Sequence, residues 1–155
     1  MTTVITHNRR RSRLSSLIDQ PGGISTRIAL QQAAENLRPL ESQSLAMVED
    51  LIQQLAALPE PQGIEGLAET LNHAYSLSAG IIDAAGPFNR EDLCRAATIL
   101  CDLLDGSPTD QPFDWRIITV HAQSFRLLLV LPQEEKAARQ QVLDSLKNVL
   151  KVKLG

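Results

Sequence analysis

The chain has 155 residues, 43% of them hydrophobic, and a net charge of -3. That is enough for one domain with a real core, and the mild acidity excludes an overall basic field for collecting nucleic acid or anionic membrane. Aromatics are only 3% of the chain, too few to stack single-stranded bases, and no run approaches the ~20 apolar residues of a membrane span.

The N-terminus lacks the apolar stretch of a secretory signal. Residues 1–9 are expected to be a disordered basic arm, because Arg9, Arg10, Arg11 and Arg13 all precede the first acid, Asp19. Residues 10–153 are then expected to form a single helical-bundle domain. Arg10 to Gln20 fits a short helix with Leu14, Leu17 and Ile18 inward, stopped by Pro21-Gly22-Gly23.

Ser25 or Thr26 is a good cap for the next helix. From there Leu30, Ala33, Ala34, Leu37, Leu40, Val48, Leu51, Ile52, Leu55 and Leu58 fall on one stripe at ~100° per residue. The stripe stays in phase through Pro39, which predicts one long, kinked helix over about 26–58. A break at Arg38 is the competing reading, since the residue before Pro disfavours helix.

Pro59-Glu60-Pro61-Gln62-Gly63 reads as a stiff linker. A helix over about 64–85 follows, with Ile64, Leu67, Ala68, Leu71, Ala74, Tyr75, Ser78, Ile82 and Ala85 on one face, ended by Gly86 and Pro87. Asn89 is the expected N-cap of the next helix, with Asp92 at its third position and Leu93, Ala97, Leu100, Cys101 and Leu104 inward.

Asp114 is a good N-cap for a further helix, and Phe113 with Ile118 makes a hydrophobic staple. Trp115 to Val120 is rich in β-formers, yet a 3.6-residue period through Ile118, Ala122, Phe125 and Leu129 favours helix. Val120, Leu127 and Val130 form a second stripe on its opposite side, a candidate dimer surface. Pro132 suits the start of a last helix with Ala138, Val142, Leu146 and Val149 inward. The fold class is therefore all-α: an antiparallel helix bundle of about four principal helices plus a short N-terminal one.

The chemistry-bearing residues are few. Metal-ligand spacing, a phosphate-binding Gly-rich loop and a nucleophile elbow are all missing, so no metal, no cofactor and no catalytic constellation are expected. Cys94 and Cys101 lie ~10.5 Å apart along one helix, too far to pair, and read as small core hydrophobes in a reducing cytoplasm. His73 projects ~160° from the Leu71 side of its helix, with Glu69, Ser76 and Gly80 around it. An open mid-helix imidazole is what a histidine phosphotransfer domain requires, so His73 is the candidate phosphoacceptor. Such domains place Lys three residues and Gly four residues after the His, whereas this chain has Ser76 and Leu77. The same face (Glu69, His73, Ser76, Gly80) is the candidate partner-binding surface. His121, ~60° from the centre of its apolar stripe, is the second candidate acceptor and reads as half-buried, with Glu41 a conceivable partner.

Several phrases carry a family resemblance: Leu17 to Ser25, Ile82-Asp83-Ala84-Ala85-Gly86-Pro87-Phe88, Leu93-Cys94 with Ala96-Ala97, Leu100 to Asp105, and Val120-His121 with Arg126-Leu127-Leu128. The set resembles the small alphaproteobacterial proteins labelled chemotaxis protein CheE, over about residues 12 to 131. The resemblance implies a cytoplasmic accessory protein of chemotaxis or two-component signalling, with a kinase, response regulator or receptor as partner. It carries no functional residues across. The expectation is a non-enzymatic adaptor that binds through an exposed helical face, with phosphotransfer at His73 or a homodimeric structural role as alternatives.

Overall fold

The structure, a computed structural model, describes residues 22–154. The basic arm and the helix expected at 10–20 lie outside the described residues. The chain divides into two compact units, one ending at Arg38 and the other beginning at Pro39.

In the first unit the described element is α1 (Thr26–Leu37). Ser25 is its N-cap, and its hydroxyl accepts a hydrogen bond from the Ile28 amide at 3.4 Å. A 3-10 turn at Arg38–Leu40 follows, then α2 (Glu41–Ala57). The α-helical ladder predicted over 26–58 is thus interrupted at Pro39, which has no amide to donate, while Arg38 before it keeps right-handed helical backbone (φ -50°, ψ -43°). The stripe divides at the same place. Val48, Ile52 and Leu55 are buried, whereas α1 buries none of its side chains and Leu30 is 67% exposed.

The second unit is an all-α bundle, and its described residues contain no strand. To α2 it adds α3 (Leu67–Ala85), α4 (Glu91–Asp105), α5 (Arg116–Val130) and α6 (Lys136–Leu154). None of its described helices is long and apolar enough to cross a membrane. Helix α4 packs against α3, α5 and α6, and α2 closes the remaining side against α3 and α5. That position explains why α4 buries a wider arc than its predicted stripe: Ala96, Ile99 and Leu103 join Leu93, Ala97, Leu100, Cys101 and Leu104.

The helix ends follow local chemistry, with corrections. Helix α3 begins at Leu67, three residues later than predicted, because Gly66 takes a left-handed φ of 76° that only Gly adopts freely. Ile64 and Tyr75 are exposed, and Leu77 and Ile81 are buried in their place. Asn89 is not the N-cap of α4. It has φ 56° and terminates a short 3-10 turn (Gly86–Phe88), and Arg90 is the N-cap residue. Asp114 is not the N-cap of α5 either: Trp115 is the N-cap residue, and Asp114, one position earlier, accepts from the Arg116 amide at 3.2 Å. It also accepts from the Arg116 guanidinium and, at 2.7 Å, from Lys153 near the end of α6, and these cations hold its carboxyl well below the usual range. In α6 the buried line is Arg139, Leu143 and Leu146, with Val142 and Val149 only partly covered.

Candidate functional site

The predicted His73 face is only partly assembled. His73, Glu69 and Ser76 are exposed on α3, opposite buried Leu71, Ala74 and Ser78. Gly80 is not on that open surface. It is half-buried toward α2, and a Cβ built on it would stand 3.2 Å from Leu51 Cδ1. Nearby, the Ser44 hydroxyl donates to the Ala84 carbonyl, joining the same two helices. Gly80 therefore serves close helix approach. The Ser76 hydroxyl is turned back onto its own helix, donating to the Asn72 carbonyl at 2.9 Å. His73 borders a shallow concavity of about 280 Å³ with Leu58, Pro59, Glu69 and Thr70. That lining holds a carboxylate and no cation, the wrong sign to steady a transferred phosphoryl group.

His121 is fully buried rather than half-buried. Its Nδ1 lies 2.8 Å from the Ile117 carbonyl, which fixes Nδ1 as the protonated nitrogen and leaves Nε2 without a hydrogen-bond partner among the described residues. Phe125 meets the ring edge-on, centroids 6.1 Å apart. Burial pushes its pKa below the ordinary value, against a smaller upward effect from the Ile117 carbonyl. Glu41 is not its partner; that carboxylate pairs with Arg90 at 3.7 Å. A neutral imidazole sealed in the core cannot meet an external phosphoryl donor.

Sequence reasoning missed the most connected polar residue, Arg139, which is 1% exposed. Its Nε donates to Asp92 Oδ2 at 2.7 Å, and one terminal nitrogen donates to the Leu128 carbonyl at 2.9 Å and the Leu131 carbonyl at 2.6 Å. One guanidinium thus ties the first turn of α4 and the last turn of α5 to α6. An arginine interrupting an apolar stripe was the only signal available. Both cysteines are core filler: burial pushes Cys94 up and Cys101 to about 11, so neither is an activated thiol.

The outer stripe of α5 is exposed and divides between two depressions. Val120 borders an apolar concavity of about 360 Å³ with Ile117, Val149 and Val152, rimmed by Asp114, Arg116 and Lys153. Val130, 82% exposed, borders a larger groove of about 780 Å³ between α2 and α5. Leu127 is exposed on the same helix and lines neither depression. No group of three or more His, Cys, Asp or Glu among the described residues is placed to hold a metal ion. The class that fold and surface define is an all-α helix bundle with bare apolar side chains on its outer helices. No protein-family model, curated protein or solved structure matches the chain.

Proposed function

We infer that the protein is a non-enzymatic adaptor of bacterial chemotaxis or two-component signalling that binds a protein partner through an exposed helical surface. The observation that carries this reading is the outer side of α5 with the end of α6. There Val120, Val130 and Val152 stand exposed beside depressions and Leu127 is exposed on the same helix, although the bundle has a complete core beneath them. Clustered bare apolar side chains with a polar rim are the mark of a protein-binding surface. The signalling setting comes from the resemblance to the CheE proteins. The test is a pull-down of purified chain against histidine-kinase, response-regulator and receptor fragments. Binding at micromolar concentration is expected, and no binding by any of them rejects the reading.

A second reading, phosphotransfer at His73, is favoured by the exposed mid-helix position of that imidazole. Incubation with a labelled phospho-regulator would leave acid-labile label that disappears in His73→Gln, and label that survives removes His73 as acceptor. The Val120 and Leu127 exposure also fits a homodimer, which light scattering at high protein concentration decides.

A further inference from the structure

The groove between α2 and α5 has a shape and charge that select an occupant. Its α2 wall runs from Ser42 through Leu45, Ala46 and Glu49 to Gln53. Those positions recur every three or four residues over roughly 16 Å, three helical turns at 1.5 Å per residue. Ile52 with Leu129 and Val130 gives the trough an apolar floor and a bare apolar edge. A long trough of this kind suits a helix laid along α2, whose anchors repeat at the same spacing.

The charge is the second observation. Residues 39–154 carry sixteen acidic side chains against nine basic ones. Within the groove the exposed charges are Arg126 and Glu49. Arg90 is mostly covered and is paired with Glu41 at 3.7 Å, whereas among the described residues no carboxylate forms an ion pair with Arg126. An exposed, unpaired guanidinium on an acidic unit favours a carboxylate and disfavours a cation on whatever enters beside it. The α1 helix of a second copy is a poor match, because Arg27 and, just past the helix end, Arg38 lie beside its Leu30 and Leu37 stripe.

We propose that the α2–α5 groove receives an amphipathic helix of a partner protein whose apolar stripe is flanked by carboxylates. The proposal rests on the adaptor reading and adds to it the place and chemistry of the partner. Anchors spaced i, i+4 and i+7 lie between Ala46 and Leu129, and the flanking acids meet Arg126.

The test is display selection on the full-length chain with a helical peptide library that fixes three apolar anchors and randomises the flanks. The selected peptides are then titrated by fluorescence anisotropy. Ala46 and Arg126 are exposed, so Ala46→Arg and Arg126→Glu are expected to keep the fold, and circular dichroism checks it. The expected result is enrichment of Asp and Glu at the flanks, with affinity falling at least ~10-fold in Ala46→Arg. In Arg126→Glu the acidic peptides weaken and Lys-flanked versions regain binding. No enrichment, enrichment of basic flanks, or binding indifferent to Ala46→Arg overturns the proposal. So does a dimer in sedimentation that Ala46→Arg dissociates, which assigns the groove to a second copy. Repeating the pull-down with Ala46→Arg separates the two readings. A signalling fragment held equally by both proteins removes the groove and leaves the adaptor, while no fragment held by wild type removes the adaptor itself.

Discussion

Arg139→Ala is the substitution expected to cost the fold most. The side chain is 1% exposed and makes three hydrogen bonds, one of them to a carboxylate. Removing it leaves Asp92 without its cation and the Leu128 and Leu131 carbonyls without their donor. It also opens a cavity where α4, α5 and α6 meet. Breaking a buried ion pair from one side costs about 3–5 kcal/mol. Asp92 is 31% exposed and recovers some hydration, so the lower half of that range is the expectation.

Asp92→Asn keeps the shape and an acceptor and leaves the two carbonyl bonds intact, so it costs less, about 1.5–3 kcal/mol. The assay is urea unfolding followed by helical circular dichroism and by Trp115, the one tryptophan. With a slope of about 1–3 kcal/mol per molar urea, Arg139→Ala lowers the midpoint by roughly 1–4 M. The double variant is expected to be less destabilised than the sum of the singles by at least ~1 kcal/mol. Arg139→Lys keeps the charge but cannot hold the fork geometry, so it falls between wild type and Ala. An Arg139→Ala cost below ~1 kcal/mol, or strict additivity with Asp92→Asn, would refute the claim that this pair joins the three helices.

Three further outcomes follow from individual side chains. His121 has a lowered folded pKa, so the unfolded chain takes up its proton first as pH falls below ~6.5. Stability is therefore complete above that pH and declines below it by at most ~1.4 kcal/mol per pH unit until the folded-state pKa is reached. His121→Leu should abolish that slope between pH 6.5 and 5 and leave stability at pH 7.5 equal or higher, because it removes an unpartnered buried nitrogen; an unchanged slope would contradict the burial. Cys101, pushed up to about 11, should react with iodoacetamide at pH 8 roughly 100-fold more slowly than a thiol of ordinary pKa, in step with unfolding. Gly80→Ala should change stability by less than ~1 kcal/mol, since the helix-propensity gain offsets the push on Leu51, whereas Gly80→Val should cost about 1–3 kcal/mol. Equal effects would place Gly80 on an open surface after all.

The helices were legible because periodicity and punctuation agree along most of the chain. Gly86-Pro87 stops α3, Gly106 caps α4, and the 3.6-residue period overrides the β-prone stretch at Trp115 to Val120. What was not legible depended on partners far away in sequence. Arg139 and Asp92 are 47 residues apart, and neither alone signals the other. Asn serves equally as an N-cap and as a left-handed residue, so Asn89 could be assigned only from its φ. Gly80 illustrates the same ambiguity, because a small residue fits an open face and a close helix crossing alike.

The distribution of polar residues inside the bundle bears on where binding can occur. Helix α4 is enclosed by α3, α5 and α6, and it carries both cysteines as packing groups. His121 points from α5 into the same interior, without an outlet for its free nitrogen. Arg139 gives three hydrogen bonds to Asp92 and the Leu128 and Leu131 carbonyls. The reactive-looking residues of the interior are therefore committed to structure, which leaves the outer surfaces of α2, α3, α5 and α6 for a partner of the kind proposed. Of these, the α3 surface around His73 offers a shallow, acidic depression, while the α2–α5 trough combines length, an apolar floor and the exposed Arg126. Partner binding that responds to Ala46→Arg but not to His73→Gln would be the expression of that difference. The reverse pattern would return the function to the histidine face.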